Sequence, residues 1–85
     1  VRLELDCRTG EPALGWNVVG DLFGRERPAE VVLLGGHLDA WDVGQGAHDD
    51  GAGCVQALEA VRLVAAAGLR PRRTLRVVLF ANEEN

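Results

Sequence analysis

Val31-Val-Leu-Leu-Gly-Gly-His37-Leu-Asp-Ala-Trp-Asp-Val-Gly-Gln-Gly-Ala-His-Asp-Asp-Gly-Ala-Gly53 decides how this chain folds. Its first four residues are continuously apolar, and a strand without alternation is one covered on both faces. The stretch as a whole holds four carboxylates, two imidazoles and six glycines. Such a loop, set between an apolar strand and an apolar helix, is built to hold a ligand. The helix runs from Asp50 to about Ala67, with Cys54, Val55, Leu58, Val61, Val64 and Ala65 recurring at helical spacing and Gln56, Glu59 and Arg62 as its polar stripe. Gly68 is a natural C-terminal cap, and Pro71 forbids continuation.

Working outward, Thr74 to Ala81 returns as a strand, and strand, helix, strand in that order implies a right-handed crossover with the two strands parallel. Upstream, Asn17 to Phe23 reads as a strand joined through the turn Gly24 to Pro28 to the Val31 strand, as its antiparallel neighbour. Val1 to Arg8 alternates strictly between apolar and charged residues, the pattern of a half-buried strand, and Thr9 to Gly15 reads as a loop. The fold class is therefore α/β, part of a three-layer αβα sandwich with a mixed β-sheet. Four strands and one helix leave one covering layer absent. The start at Val1 and the stop at Asn85, directly after a Glu-Glu pair, lead to the same expectation: residues 1–85 are the N-terminal portion of a single catalytic domain.

Composition narrows the function classes. The 85 residues are 47% hydrophobic and 26% charged with a net charge of −4, ordinary for one soluble domain. The acidic balance argues against a nucleic-acid partner, which needs a clustered basic footprint. No apolar run approaches the ~20 residues of a membrane span. Cys7 and Cys54 match no metal or redox spacing and read as a strand and a helix-core residue. No signal peptide is visible among these residues, and nothing in them speaks to oligomeric state.

Ligands of open α/β sheets bind beyond the carboxyl ends of parallel strands. His37 stands at the tip of one such strand, Glu83 and Glu84 just past the tip of the other, and Asp49 and Asp50 at the helix start, where the dipole favours negative charge. An imidazole with several carboxylates and no thiolate suits zinc or a similar divalent ion in a hydrolytic site. Adjacent glutamates on extended backbone point in opposite directions, so Glu83 and Glu84 take different roles: one ligates while its neighbour serves as general base. Asp39 is placed to accept the other imidazole N–H of His37. His48 reads as a loop residue lining the site. Trp41, Asp42 and Gln45 are either substrate contacts or, respectively, a tucked-in ring and solvated neighbours. The arginines Arg70, Arg72, Arg73 and Arg76 read as a solvated connection. Gly44-Gln-Gly46 lacks both the third glycine and the lysine of a phosphate-binding loop, and Cys54 on the apolar helix face disfavours a thiol nucleophile.

The strings VVLLGGHLDAWDVGQGAHDDGAG and PRRTLRVVLFANEEN, in that order, resemble the co-catalytic dizinc exopeptidases, an aminopeptidase family, and most closely their carboxypeptidase Q branch. The resemblance runs from about Asn17 to Asn85. It implies two Zn2+ ions, with His37 binding one, Glu84 the other and Asp49 both. Glu83 would be the general base toward a water activated by the two metals, Asp39 a supporting catalytic residue, and the Asp49–Asp50 peptide strained and cis. It also implies a peptide or dipeptide substrate and a secreted or periplasmic setting. The two remaining ligands of the family pattern, an Asp and a His, have no counterpart among these residues. The alternatives are a non-catalytic binding domain on the same fold, or a truncated product inactive for want of those ligands.

Overall fold

The computed structural model describes Val1 to Asn85. Three strands, β1 (Val18–Leu22), β2 (Arg27–His37) and β3 (Arg73–Phe80), form one mixed sheet, and a single helix, α1 (Ala52–Ala66), packs on it. The chain is therefore α/β. β2 and β3 run parallel in a register that sets Leu34 against Val77, Gly36 against Leu79 and His37 against Phe80. The expected β-α-β crossover is thus present.

Two expectations fail. The sheet order is β1-β3-β2, so β1 pairs antiparallel with β3, Val18 facing Leu79 and Leu22 facing Leu75, and never touches β2 as a hairpin partner. The short link between β1 and β2 instead passes over the beginning of β3. Arg25 N–H donates to Pro71 O at 2.9 Å and Arg27 N–H to Arg72 O at 2.8 Å. A Cβ on Gly24 would lie 2.5 Å from the Arg73 carbonyl carbon, so only glycine lets the link through. Val1 to Arg8, expected as a strand, has no ladder partner, and Leu3 and Leu5 are exposed. Alternation prepares a segment for pairing, but a strand also needs a sheet edge to complete its hydrogen bonds.

α1 ends as expected. Gly68 takes φ 68°, its N–H donates to Ala65 O at 3.0 Å, and Leu69 N–H donates to Val64 O at 3.2 Å, closing a Schellman motif. The helix begins at Ala52, two residues later than its periodicity suggested, because Asp49 and Asp50 have non-helical dihedrals. Its inward stripe is Cys54, Ala57 and Val61, which meet Val77, Leu79 and Leu34 of the sheet. Val55 and Leu58 face outward.

Only seven of 85 residues are buried, and the radius of gyration is 17.6 Å against about 12 Å for a closed domain of this length. Val31, Val32 and Leu33, expected to be covered on both faces, stay 43 to 57% exposed, since the chain supplies one covering layer. No helix is long and apolar enough to cross a membrane.

At the end of the sheet remote from His37 the arginines are solvated, as read, and three of them are also paired with carboxylates. Arg72 binds Glu26 at 2.6 Å, Arg73 binds Glu30, and Arg76 grips Asp21 with two bonds of 2.8 and 2.7 Å. Beneath them Thr74, 1% exposed, accepts the Gly24 N–H at 3.1 Å and donates to Pro28 O at 2.8 Å, joining the β1–β2 link to β3. Thr74→Val would remove both bonds and is expected to cost about 1–3 kcal/mol of stability, read from urea denaturation. The Arg76 hydrogen bonds hold the Asp21 carboxyl below its ordinary range against a smaller opposing effect of burial. Because the folded state then binds that proton less readily than the unfolded chain, the pair's contribution is complete above about pH 4 and disappears as pH falls through the lower folded value. The difference in urea midpoint between the wild type and Asp21→Asn should accordingly be largest near neutrality and shrink below about pH 4. A difference independent of pH would assign the effect to packing.

Candidate metal centre

The parallel pairing brings both strand tips to one end of the sheet, and a set of backbone bonds fixes what projects there. His37 is buried at 9% exposure, and both its backbone groups are anchored to the start of α1. Its N–H donates to Asp50 Oδ2 at 3.1 Å and its carbonyl accepts from Cys54 Sγ at 3.1 Å. The other oxygen of Asp50 accepts the Gly53 N–H at 2.9 Å, satisfying one of the free donors of the first helical turn. A Cβ on Gly36 would lie 2.6 Å from Asp50 Oδ2, and one on Gly53 would lie 2.1 Å from Asp50 Oδ1. These glycines exist to admit that carboxylate. Burial, with the Asp50 charge beside it, pushes the Cys54 thiol up, so this cysteine anchors main chain and has no nucleophilic character.

The loop after His37 reaches back to the tip of β3. The Asp39 carboxylate accepts the backbone N–H of Glu83 at 3.0 Å and of Glu84 at 2.9 Å, and the Glu84 bond leads in holding its carboxyl below the ordinary range. His37 Nδ1 meets the Asp39 carbonyl oxygen at 3.0 Å, with the Asp39 carboxylate at 3.5 Å. The support expected from Asp39 for the ring thus comes mainly through its backbone, and its carboxylate is given over to the glutamates. The Asp49–Asp50 peptide is cis.

His37 Nε2 consequently faces Asp49 Oδ1 at 3.0 Å and Glu83 Oε2 at 3.7 Å. Donor atoms of His37, Asp49 and Glu84 all lie within 4.8 Å of one another. His37 Nε2 and Asp49 Oδ1, 3.0 Å apart, already stand close to the ~3.4 Å spacing of two donors on one tetrahedral zinc. The electrostatics agree. Asp39, Asp42, Asp49, Asp50, Glu83 and Glu84 crowd this end of the molecule, and none has an arginine partner. Burial disfavours the charged imidazole of His37, but the Asp39 carbonyl, Asp49, Glu83 and Asp50 outweigh it and raise its pKa above the ordinary value. The pocket favours positive charge, and its residues fit a divalent cation.

Two clefts flank the donors. One of about 300 Å³ includes His48, Asp49 and Glu84, placing His48 on the site wall as expected. The other, of about 390 Å³, includes Asp39, Asp42, Glu84 and Asn85. Trp41 borders both and is 74% exposed, so it is not tucked into the loop. Gln45 borders neither. Sequence reasoning missed Asp50 as the clamp between strand and helix. The available signal was a carboxylate three residues before Gly53, the spacing of a side-chain bond to a helix N-terminus.

Carboxypeptidase Q from Mus musculus is 50% identical over 84 residues, covering 99% of this chain and 18% of that protein. The Homo sapiens protein of the same name is 46% identical over the same coverage. Leupeptin-inactivating enzyme 1 from Streptomyces exfoliatus is 37% identical over 80 residues, 94% of this chain and 18% of that protein. The chain thus spans less than a fifth of the length of these relatives. No solved structure matches it. Residues 17–85 match the model of peptidase family M28, and the chain belongs to that family.

Proposed function

We propose that this chain carries the strand tips and the metal-binding loop of a zinc-dependent exopeptidase of the aminopeptidase or dipeptidase type. The observation that carries the reading is the convergence of His37, Asp49 and Glu84 on one point, with Glu83 beside His37 and no arginine to neutralise them. Kinship with carboxypeptidases Q and a leupeptin-inactivating enzyme supports a peptide substrate, and a secreted or periplasmic setting is what the family resemblance implies.

His37 Nε2 would hold one ion and Glu84 the other, and the Asp49 carboxylate, its side chain 76% exposed, is free to serve both. Zinc bound there supplies a Lewis acid for the scissile carbonyl and lowers the pKa of water toward about 7. Glu83 takes the proton of the attacking water as its oxygen bonds to the carbonyl carbon, then delivers that proton to the leaving amine nitrogen as the C–N bond breaks. Asp39 keeps Glu83 and Glu84 in place through their backbone N–H groups. A two-ion site needs further ligands, which we assign to an Asp and a His outside residues 1–85. The exposed Val31, Val32 and Leu33 fit the same view, in which residues 1–85 are part of one catalytic domain with a three-layer αβα sandwich whose missing layer covers them.

In the full-length peptidase, Glu83→Gln should retain zinc while kcat falls about 10²–10⁴-fold, and Asp49→Ala should lose zinc; metal analysis and steady-state kinetics on the same preparations check both. A Glu83→Gln variant with undiminished turnover would remove Glu83 from the base role. Residues 1–85 alone should bind zinc weakly and lack peptidase activity; tight uptake of two zinc ions per chain in calorimetry would contradict the need for outside ligands.

A further inference from the structure

His37, Asp39 and Trp41 stand two residues apart along one loop, and the structure has already given the first two their work. Trp41 remains. Its indole N–H donates to Glu84 Oε2 at 2.5 Å, although the ring is 74% exposed and takes no part in the core. Indole nitrogen can only donate, and a bond to a carboxylate is of the stronger, charge-assisted kind. Glu84 is therefore held at both ends by one three-residue segment: Asp39 Oδ2 takes its backbone N–H at 2.9 Å, and Trp41 takes one of its carboxylate oxygens. Both clefts beside the donor set meet at this ring.

We propose that Trp41 is a positioning residue that fixes the Glu84 carboxylate through one oxygen and leaves the other for the metal. The inference rests on Glu84 being a zinc ligand. Trp41 makes no bond to zinc and acts through Glu84 alone. Partners of this kind are worth about 10–100-fold in metal affinity. Because the ring is exposed, its replacement by Phe removes the N–H without emptying a core.

The test is zinc affinity of the full-length protein, measured by competition with a chromophoric chelator for the wild type, Trp41→Phe, Glu84→Ala and the double variant. Expected are weakened binding in Glu84→Ala, about tenfold or more weakening in Trp41→Phe, and no further weakening when Trp41→Phe is added to Glu84→Ala. This cycle separates action through Glu84 from a general structural effect, which would persist in the double variant. Unchanged affinity in Glu84→Ala would overturn the assignment of Glu84 itself. Weakening in Glu84→Ala with wild-type affinity in Trp41→Phe, or with a Trp41→Phe effect undiminished in the double variant, would overturn the role of Trp41 while leaving the metal site standing.

Discussion

The parallel pairing of β2 with β3 sets the position of every other part, because its register ends with His37 opposite Phe80 and so delivers two chemically loaded segments to the same end of the sheet. Parallel strands need a crossover, and α1 supplies it while returning Asp49 and Asp50 to that end. Three pieces of chain far apart in sequence therefore meet. Alone, such a meeting of loops would be loose. Two carboxylates tighten it: Asp50 ties the His37 backbone to the first turn of α1, and Asp39 ties the loop to the backbone of Glu83 and Glu84. Neither needs to touch a metal to decide where His37, Glu83 and Glu84 stand.

Charge is distributed along the sheet with the same economy. At the far end Arg72, Arg73 and Arg76 meet Glu26, Glu30 and Asp21 and close the crossing link over β3. At the site end the carboxylates lack such partners, and the imidazole of His37 stands among them. A fold that neutralises acids at one end and leaves them uncompensated at the other has prepared the second end for a cation. Exposed acidic groups by themselves would not carry this point; the buried imidazole at their centre, with both its backbone groups anchored, does.

Much of this was legible in the amino acids. Period and caps located α1 to within two residues, Gly68 and Pro71 marked its end, and the apolar runs before His37 and Asn82 located the parallel strands. His37, Asp49, Glu83 and Glu84 stood out because glycines flank the loop and acids crowd the strand tips. Strand order did not stand out. A turn at Gly24 reads as a hairpin whenever its neighbours are strands, and only the contact between Gly24 and the Arg73 backbone, some fifty residues away, shows that β3 lies between them. The bonds of Asp50 and Cys54 to the His37 backbone, and of Asp39 to the backbone of Glu83 and Glu84, were hidden for the same reason: they join residues that local pattern cannot relate. Val1 to Arg8 shows the converse, a perfect alternation that finds no edge to pair with.

The reading stands or falls on His37 and Glu84 each ligating an ion, with Asp49 serving both. Crystals of the full-length protein grown with zinc, with diffraction recorded on both sides of the zinc absorption edge, test it most directly. Anomalous density is expected within about 2.0–2.2 Å of His37 Nε2 and an Asp49 oxygen at one ion, and within the same distance of Glu84 and Asp49 oxygens at the other. Density elsewhere, or a site end at which neither His37 nor Glu84 ligates an ion, would contradict it.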